Sequence, residues 1–274
     1  MQVYKGMDIG SAKPDSSLRS RIPHHLFDIL TPDCQFNAGD FVALADETVE
    51  KVLSRGNIPV ISGGTAFYVR NYIFGLPESP RGDAEVREEL QRELQQRGLP
   101  DLYEELERRD PVRAHQIHFR DSYRIVRALE VIRTTGIPFS AGRVSETVRP
   151  ELMPLILGLQ RDRQELYRRI DTRVDDMFRR GLVEEIKFLL QSGYVPEDPG
   201  MKGIGYREFF FQGRTGELNR PGVANLIKQN SRRYAKRQIT FFKKIPDVRW
   251  FHPDDTDGIS SAVNIFLQKW HSVV

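Results

Sequence analysis

The sequence predicts an α/β fold carrying an α-helical insertion, and three features support that reading. FVALADETVEKVLSRG is amphipathic and ends on Gly56, and it runs into the short apolar stretch of NIPVISGGTAFYVRNY, which turns at Gly63-Gly64. That is the order of a crossover helix, a strand and a turn leading into the next helix. Residues 81–134 then change to a charge-rich helical pattern, and a second apolar run, PLILGL, precedes a long amphipathic segment. With 274 residues, 39% of them hydrophobic and 29% charged, the chain is able to bury a core in one or two domains.

Taken in order, the chain opens with QVYKGMDIG, in which Val3 and Tyr4 lead directly into a glycine turn. Asp8 and Lys13 fall near a strand end, where turn and capping roles account for them. Gly63 and Gly64 permit close backbone approach, and Thr65 at the helix start leaves N–H groups aimed above the strand. On the residues alone this turn is equally well read as purely structural. Between 81 and 134, Glu88 with Arg92, Glu93 with Arg97, Glu104 with Arg108 and Glu105 with Arg109 are i,i+4 pairs, with Val86, Leu90 and Leu94 as an apolar stripe. Breaks are expected at Gly98-Leu99-Pro100 and Asp110-Pro111. PLILGL reads as a buried strand. The segment from Asp162 to Gly193 reads as helix, interrupted at Gly181 and ended at Gly193, with Leu166, Ile170, Val174, Met177 and Phe178 as core positions. A Gly-rich loop, GYVPEDPGMKGIGYRE, a basic helix and the strand-like VRWFH complete the order.

Several function classes are set aside. No window approaches the roughly 18 apolar residues of a membrane span, and the first 30 residues lack a signal-peptide core, so a cytoplasmic protein is expected. Cys34 is the only cysteine, which excludes a disulfide framework and a cysteine zinc site. His24 and His25 are adjacent and poorly placed to chelate one ion. The net charge of +3 says little, but its distribution says more. KQNSRRYAKRQITFFKK carries Lys228, Arg232, Arg233, Lys236, Arg237, Lys243 and Lys244 without an acid, the mark of a polyanion-binding segment. Arg124, Arg127 and Arg133 accompany Tyr123 on a helix with only Asp121 and Glu130 as acids.

QVYKGMDIGSAKP, PHHLFD, GGTAFY, the RIVRALEV helix, LYRRIDTRVDDMFRRGLVEEI, MKGIGYRE and YAKRQITFF occur in that order across nearly the whole chain. Together they resemble the tRNA dimethylallyltransferase family, also called tRNA isopentenyltransferases. The resemblance implies a P-loop nucleotide-kinase-like parallel sheet, with a core of residues 1–80 and 145–274 and a helical insertion at 81–144 contacting the tRNA anticodon region. It implies transfer of a dimethylallyl group from dimethylallyl diphosphate to the exocyclic amine of the adenosine 3′ of the anticodon, with Mg²⁺ as cofactor, by a monomer. Such a site must neutralise diphosphate, hold a poor amine nucleophile in line and unstack the target base.

Carried over by position, the resemblance implies tRNA contacts at Met1 and Gln2, which end a segment lining the target adenosine, at Thr65, and at Arg87 in the insertion. It implies further contacts along Tyr123, Arg124, Ile125, Val126 and Arg127, then along Lys202, Gly203, Ile204, Gly205, Tyr206 and Arg207. The last run is Lys236, Arg237, Gln238, Ile239, Thr240, Phe241, Phe242 and Lys243, and Arg124, Arg127, Lys236 and Arg237 are expected on phosphates. Three motifs depart from the family pattern. GGTAFY lacks the usual Leu, the family's His-Pro-Asn-Asp stands as His118-Phe119-Arg120-Asp121, and the aromatic of its Thr-Trp is Phe241.

Relatives place a P-loop of the type GPTASGKS, its helix and a strand ending Asp-Ser ahead of QVYKGMDIG. This sequence contains no G-x-x-x-x-G-K-[ST], so about 40 residues of that kind are expected upstream of Met1. The diphosphate-binding Lys and hydroxyl and the Asp base would lie there, so no catalytic residue and no metal ligand is named within the chain. Two alternatives stand beside this reading. One is a truncated relative that binds tRNA without catalysis. The other is an adenylate isopentenyltransferase acting on free nucleotide, against which Arg87 and the extended basic YAKRQITFFKK segment argue.

Overall fold

The computed structural model describes residues 1–77, 83–142, 145–211 and 219–271. It is an α/β chain with many helices and a small parallel sheet. The chain divides into two units, one formed by Met1–Arg70 with Met153–Val274 and the other by Asn71–Leu152. The expected domain limits at 80/81 and 144/145 involve residues outside the described set.

The first unit begins with a loop tied by one parallel bridge between Tyr4 and Leu30. Helix α1 (Ser16–Arg21) is capped by Asp15, whose carboxylate accepts the Leu18 N–H. Helix α2 (Ala38–Leu53) starts in a reciprocal capping box between Asn37 and Asp40 and buries Ala38, Val42 and Ala45. The strand expected in NIPVI does not form. Residues 57–62 are irregular, and Val60 is 85% exposed. A strand is made by its neighbours' hydrogen bonds, and no described segment offers a ladder to this one. Helix α3 (Ala66–Phe74) follows the glycine turn and runs across the limit between the units.

The second unit is helical. Asp83 caps α4 (Ala84–Arg97), and Gly98, at φ +84°, makes the sharp break into α5 (Leu99–Arg109), which has a proline in its first turn. Asp110 then caps α6 (Pro111–Gln116) and also accepts from the Ser140 N–H and hydroxyl at 2.8 and 2.6 Å. Helix α7 (Ser122–Thr135) starts on Asp121 and ends on Gly136 in the left-handed region. Its apolar face, Ile125, Leu129 and Ile132, packs with Leu90, Leu102 and Leu106 into one core. Each such leucine contributes about 1.5–3 kcal/mol through burial.

Returning to the first unit, β1 (Leu157–Leu159) and β2 (Arg249–Phe251) pair in parallel, Leu157 opposite Arg249. PLILGL is therefore strand only at its end, and it is not a buried one, since Leu159 is exposed. Helices α8 (Arg163–Arg179) and α9 (Leu182–Gln191) are separated at Gly181, φ +99°, where the sequence predicts the break. After the Gly-rich loop come α10 (Glu208–Phe211), the long α11 (Arg220–Phe242) and α12 (Thr256–His271). Met7, Val174, Leu182, Leu189, Met201, Tyr206, Val223 and Ile227 form this unit's core.

Candidate nucleic-acid interface

In the first unit the site is assembled by three close approaches. The Glu185 carboxylate, on α9, accepts the N–H groups of Asp8, Ile9 and Gly10 at 2.8, 2.6 and 3.1 Å, together with the Tyr206 hydroxyl at 2.7 Å. Three successive N–H groups make a concave anion site, and this protein fills it with its own carboxylate. The Tyr206 ring packs against Gly10, where a Cβ would come within 2.5 Å of it. Burial and then the charge of Glu185 hold the Tyr206 phenol well above its usual range, so it remains a neutral donor.

The second approach fixes the Gly-rich loop on α11. Glu208 is wholly buried and accepts from the Gly205 N–H at 2.8 Å, from Asn230 Nδ2 at 2.7 Å and from Arg207 Nε at 3.3 Å. Gly205, at φ +100°, allows the loop to pass within contact distance of Gly10. The third approach joins α11 to the glycine turn. Gln238 Nε2 donates to the Gly64 carbonyl at 2.7 Å, and a Cβ on Gly64 would fall 2.0 Å from that nitrogen. Thr65 is thereby held beside the basic helix, exposed.

The cations of α11 fall into two sets. Lys228 pairs with Asp175 at 2.6 Å and Arg232 with Asp171 at 2.6 Å, so both hold α11 on α8. Arg233, Lys236, Arg237, Lys243 and Lys244 are exposed, and no described carboxylate pairs with them. Thr240 is exposed beside them, while Gln238, Ile239, Phe241 and Phe242 are half-buried. In the Gly-rich loop Lys202 is exposed and Gly203, Ile204 and Arg207 are half-buried. Met1 lies against Gly203, and the Gln2 amide is spent on the Ser11 and Ala12 carbonyls at 3.2 and 3.1 Å.

Lys13 proves to be a structural cation. Its buried ammonium meets the Tyr4 carbonyl at 2.6 Å, Asp8 at 2.7 Å and Asp28 at 2.5 Å. Burial alone would raise the Asp28 carboxyl, but the hydrogen bonds and charges of Lys13 and Arg19 outweigh it and hold it below its usual value.

The second unit carries its own cationic face. Glu130, 1% exposed, has Arg87 Nη2 3.0 Å from one oxygen and 3.2 Å from the other, and Arg127 Nη1 donates at 2.9 Å. The two arginines keep part of their surface open while one buried carboxylate fixes their direction. Arg124 is exposed and pairs with Asp121 at 2.7 Å, and Tyr123 is largely exposed. Ile125 and Val126 are core residues, so their place in the run is to present their neighbours. Arg133 departs from the expectation. It is clamped between Glu93 at 2.5 Å and Glu105 at 3.0 Å, and serves the helix packing.

Sequence reasoning missed the three organising acids, Glu130, Glu185 and Glu208. Glu130 and Glu208 are marked in the sequence only as acids within runs otherwise expected to contact RNA, and Glu185, beside Glu184 in an amphipathic helix, carries no such mark. Among the described residues no three His, Cys, Asp or Glu side chains converge as a metal site, and no helix is long and apolar enough to cross a membrane.

The model of the IPP transferase family matches residues 2–245. The chain is 44% identical over 271 residues to a protein of Geotalea daltonii named tRNA dimethylallyltransferase 2, covering 98% of this chain and 83% of that one. It is 41% identical over 269 residues to the tRNA dimethylallyltransferase of Geobacter sulfurreducens, covering 97% and 86%. Among solved structures it is similar to the tRNA isopentenylpyrophosphate transferase of Bacillus halodurans, at 34% identity, TM-score 0.65 and coverage of 98% and 84%. A eukaryotic dimethylallyltransferase acting on tRNA superposes at TM-score 0.79 with 27% identity, covering 98% and 71%.

Proposed function

Because this chain belongs to the IPP transferase family, we propose that it transfers a dimethylallyl group from dimethylallyl diphosphate to the exocyclic amine of the adenosine 3′ of the tRNA anticodon. A C–N bond forms as the allylic C–O bond breaks, diphosphate leaves, and the amine proton passes to a base. The observation that carries the reading is the likeness to transferases of that name over 98% of the chain. The geometry agrees with it, since exposed unpaired cations lie along a helix fastened to the Gly64-Thr65 turn.

Each of this chain's groups has a stated part. Arg124, Arg127, Lys236 and Arg237 hold RNA phosphates, Arg87 contacts RNA from the helical unit, Thr65 meets the acceptor nucleotide, and the 202–207 loop contacts RNA. No residue of the chain is assigned as the base. The described residues do not fit a protein cage for Mg²⁺, so in this reading the ion would arrive with the diphosphate, and no step is routed through it. A P-loop-type core with residues 81–144 as the tRNA-contacting insertion, a monomeric state and a cytoplasmic location belong to the same proposal.

The test is incubation with dimethylallyl diphosphate, Mg²⁺ and an anticodon stem-loop, followed by mass analysis of the nucleosides. The expected product is one dimethylallyl adenosine 3′ of the anticodon, absent when guanosine replaces that base. A stem-loop that binds tightly and is never modified would overturn the transfer and leave RNA binding alone.

A further inference from the structure

We propose that Phe119 is a stacking platform for one unpaired nucleobase of the bound RNA, a contact beyond the residues assigned above; it rests on the tRNA reading. Phe119 lies between α6 and α7. Ile117, on one side, is anchored in the core, and Asp121, on the other, caps α7. The turn between them is closed by the Asp121 N–H on the His118 carbonyl at 2.8 Å, the Ser122 N–H on the Arg120 carbonyl at 3.1 Å and the Arg120 N–H on His118 Nδ1 at 3.2 Å. The segment is therefore set in place, yet it holds a phenylalanine outward at 53% exposure.

The ring is not loose. It stacks on His118 with centroids 4.6 Å apart and planes at 21°, and the Arg120 guanidinium carbon lies 5.2 Å from its centroid. Its neighbours along the chain are His118, Arg120, Asp121, Ser122, Tyr123 and Arg124. An exposed aromatic with a guanidinium over its ring, itself able to stack, matches a single-stranded polyanion whose bases can splay out and stack. His118-Phe119-Arg120-Asp121 also stands where the family resemblance has His-Pro-Asn-Asp, so the ring and the guanidinium are features of this chain.

The experiment is binding of anticodon stem-loops carrying 2-aminopurine at each loop position in turn, to the whole protein and to Phe119→Ala, Phe119→Trp and Lys236→Ala. Phe119→Ala should weaken binding about 5- to 150-fold and abolish fluorescence quenching at one loop position, with the salt slope unchanged. Phe119→Trp should restore both. Lys236→Ala should lower the salt slope and leave the quenching pattern intact. Phe119→Ala binding within about twofold of the parent, with quenching at every position kept, overturns the platform while tRNA binding stands. A parent protein that binds no stem-loop overturns the tRNA reading and the platform with it.

Discussion

The buried carboxylate of Glu130 gives the two arginines on it a fixed direction, and its removal would take that shared acceptor from both. Glu130→Gln keeps the acceptor oxygen and loses the charge, and should cost about 1–3 kcal/mol in urea unfolding while weakening stem-loop binding. Glu130→Ala should cost more on both counts. Tyr206 offers a test through pH. Its phenol is raised by burial and by Glu185, so the folded value exceeds the unfolded one, near pH 10. The stability it contributes is complete below pH about 10 and is lost as pH rises toward the folded value. A tyrosinate titration should show one phenol ionising only as helical circular dichroism is lost, and Tyr206→Phe should remove that late step.

At the scale of elements, α11 separates cations that hold the fold from cations left for a ligand. Lys236→Ala and Arg237→Ala should each lower the slope of log K against log salt by about 0.7–0.9, and a binding titration at several salt concentrations measures it. Arg232→Ala should leave the slope unchanged and lower stability, because its guanidinium is engaged by Asp171. The helix and its charge were legible in the sequence, since spacing and an acid-free run are local properties. The division between the two sets was not, because their partners Asp171 and Asp175 lie on α8, 61 and 53 residues earlier in the chain. The same distinction explains the sheet. The breaks at Gly98, Gly181 and Pro111 are written in single residues and were readable. Whether NIPVI becomes a strand depends on a neighbour, and hydrophobicity alone does not state one. Arg133 repeats the point, since its acids come from α4 and α5.

Across the whole molecule the net charge of +3 conceals two opposed uses of charge. One is the open cations of α11, and the other is closed pairs that bind each unit internally. The closed pairs set the acid limit of stability. In the first unit Asp28 is held below its ordinary value against burial by Lys13 and Arg19. In the second, hydrogen bonds from Arg133, opposed by burial and reinforced by Arg97, hold Glu93 below its own. A depressed carboxyl contributes stability that is present above its unfolded pKa, about 3.9 for Asp and 4.3 for Glu, and that is lost as pH falls through the lower folded value. Stability to urea should therefore stay level from neutrality to about pH 5 and fall below about pH 4. Arg133→Gln should lower the protection of α4, α5 and α7 amides at neutral pH, and the difference from the parent should shrink as Glu93 is protonated. Hydrogen exchange read element by element measures both limbs. A deficit in those helices that is the same at pH 7 as in acid would show that Arg133 acts there by packing and not by charge.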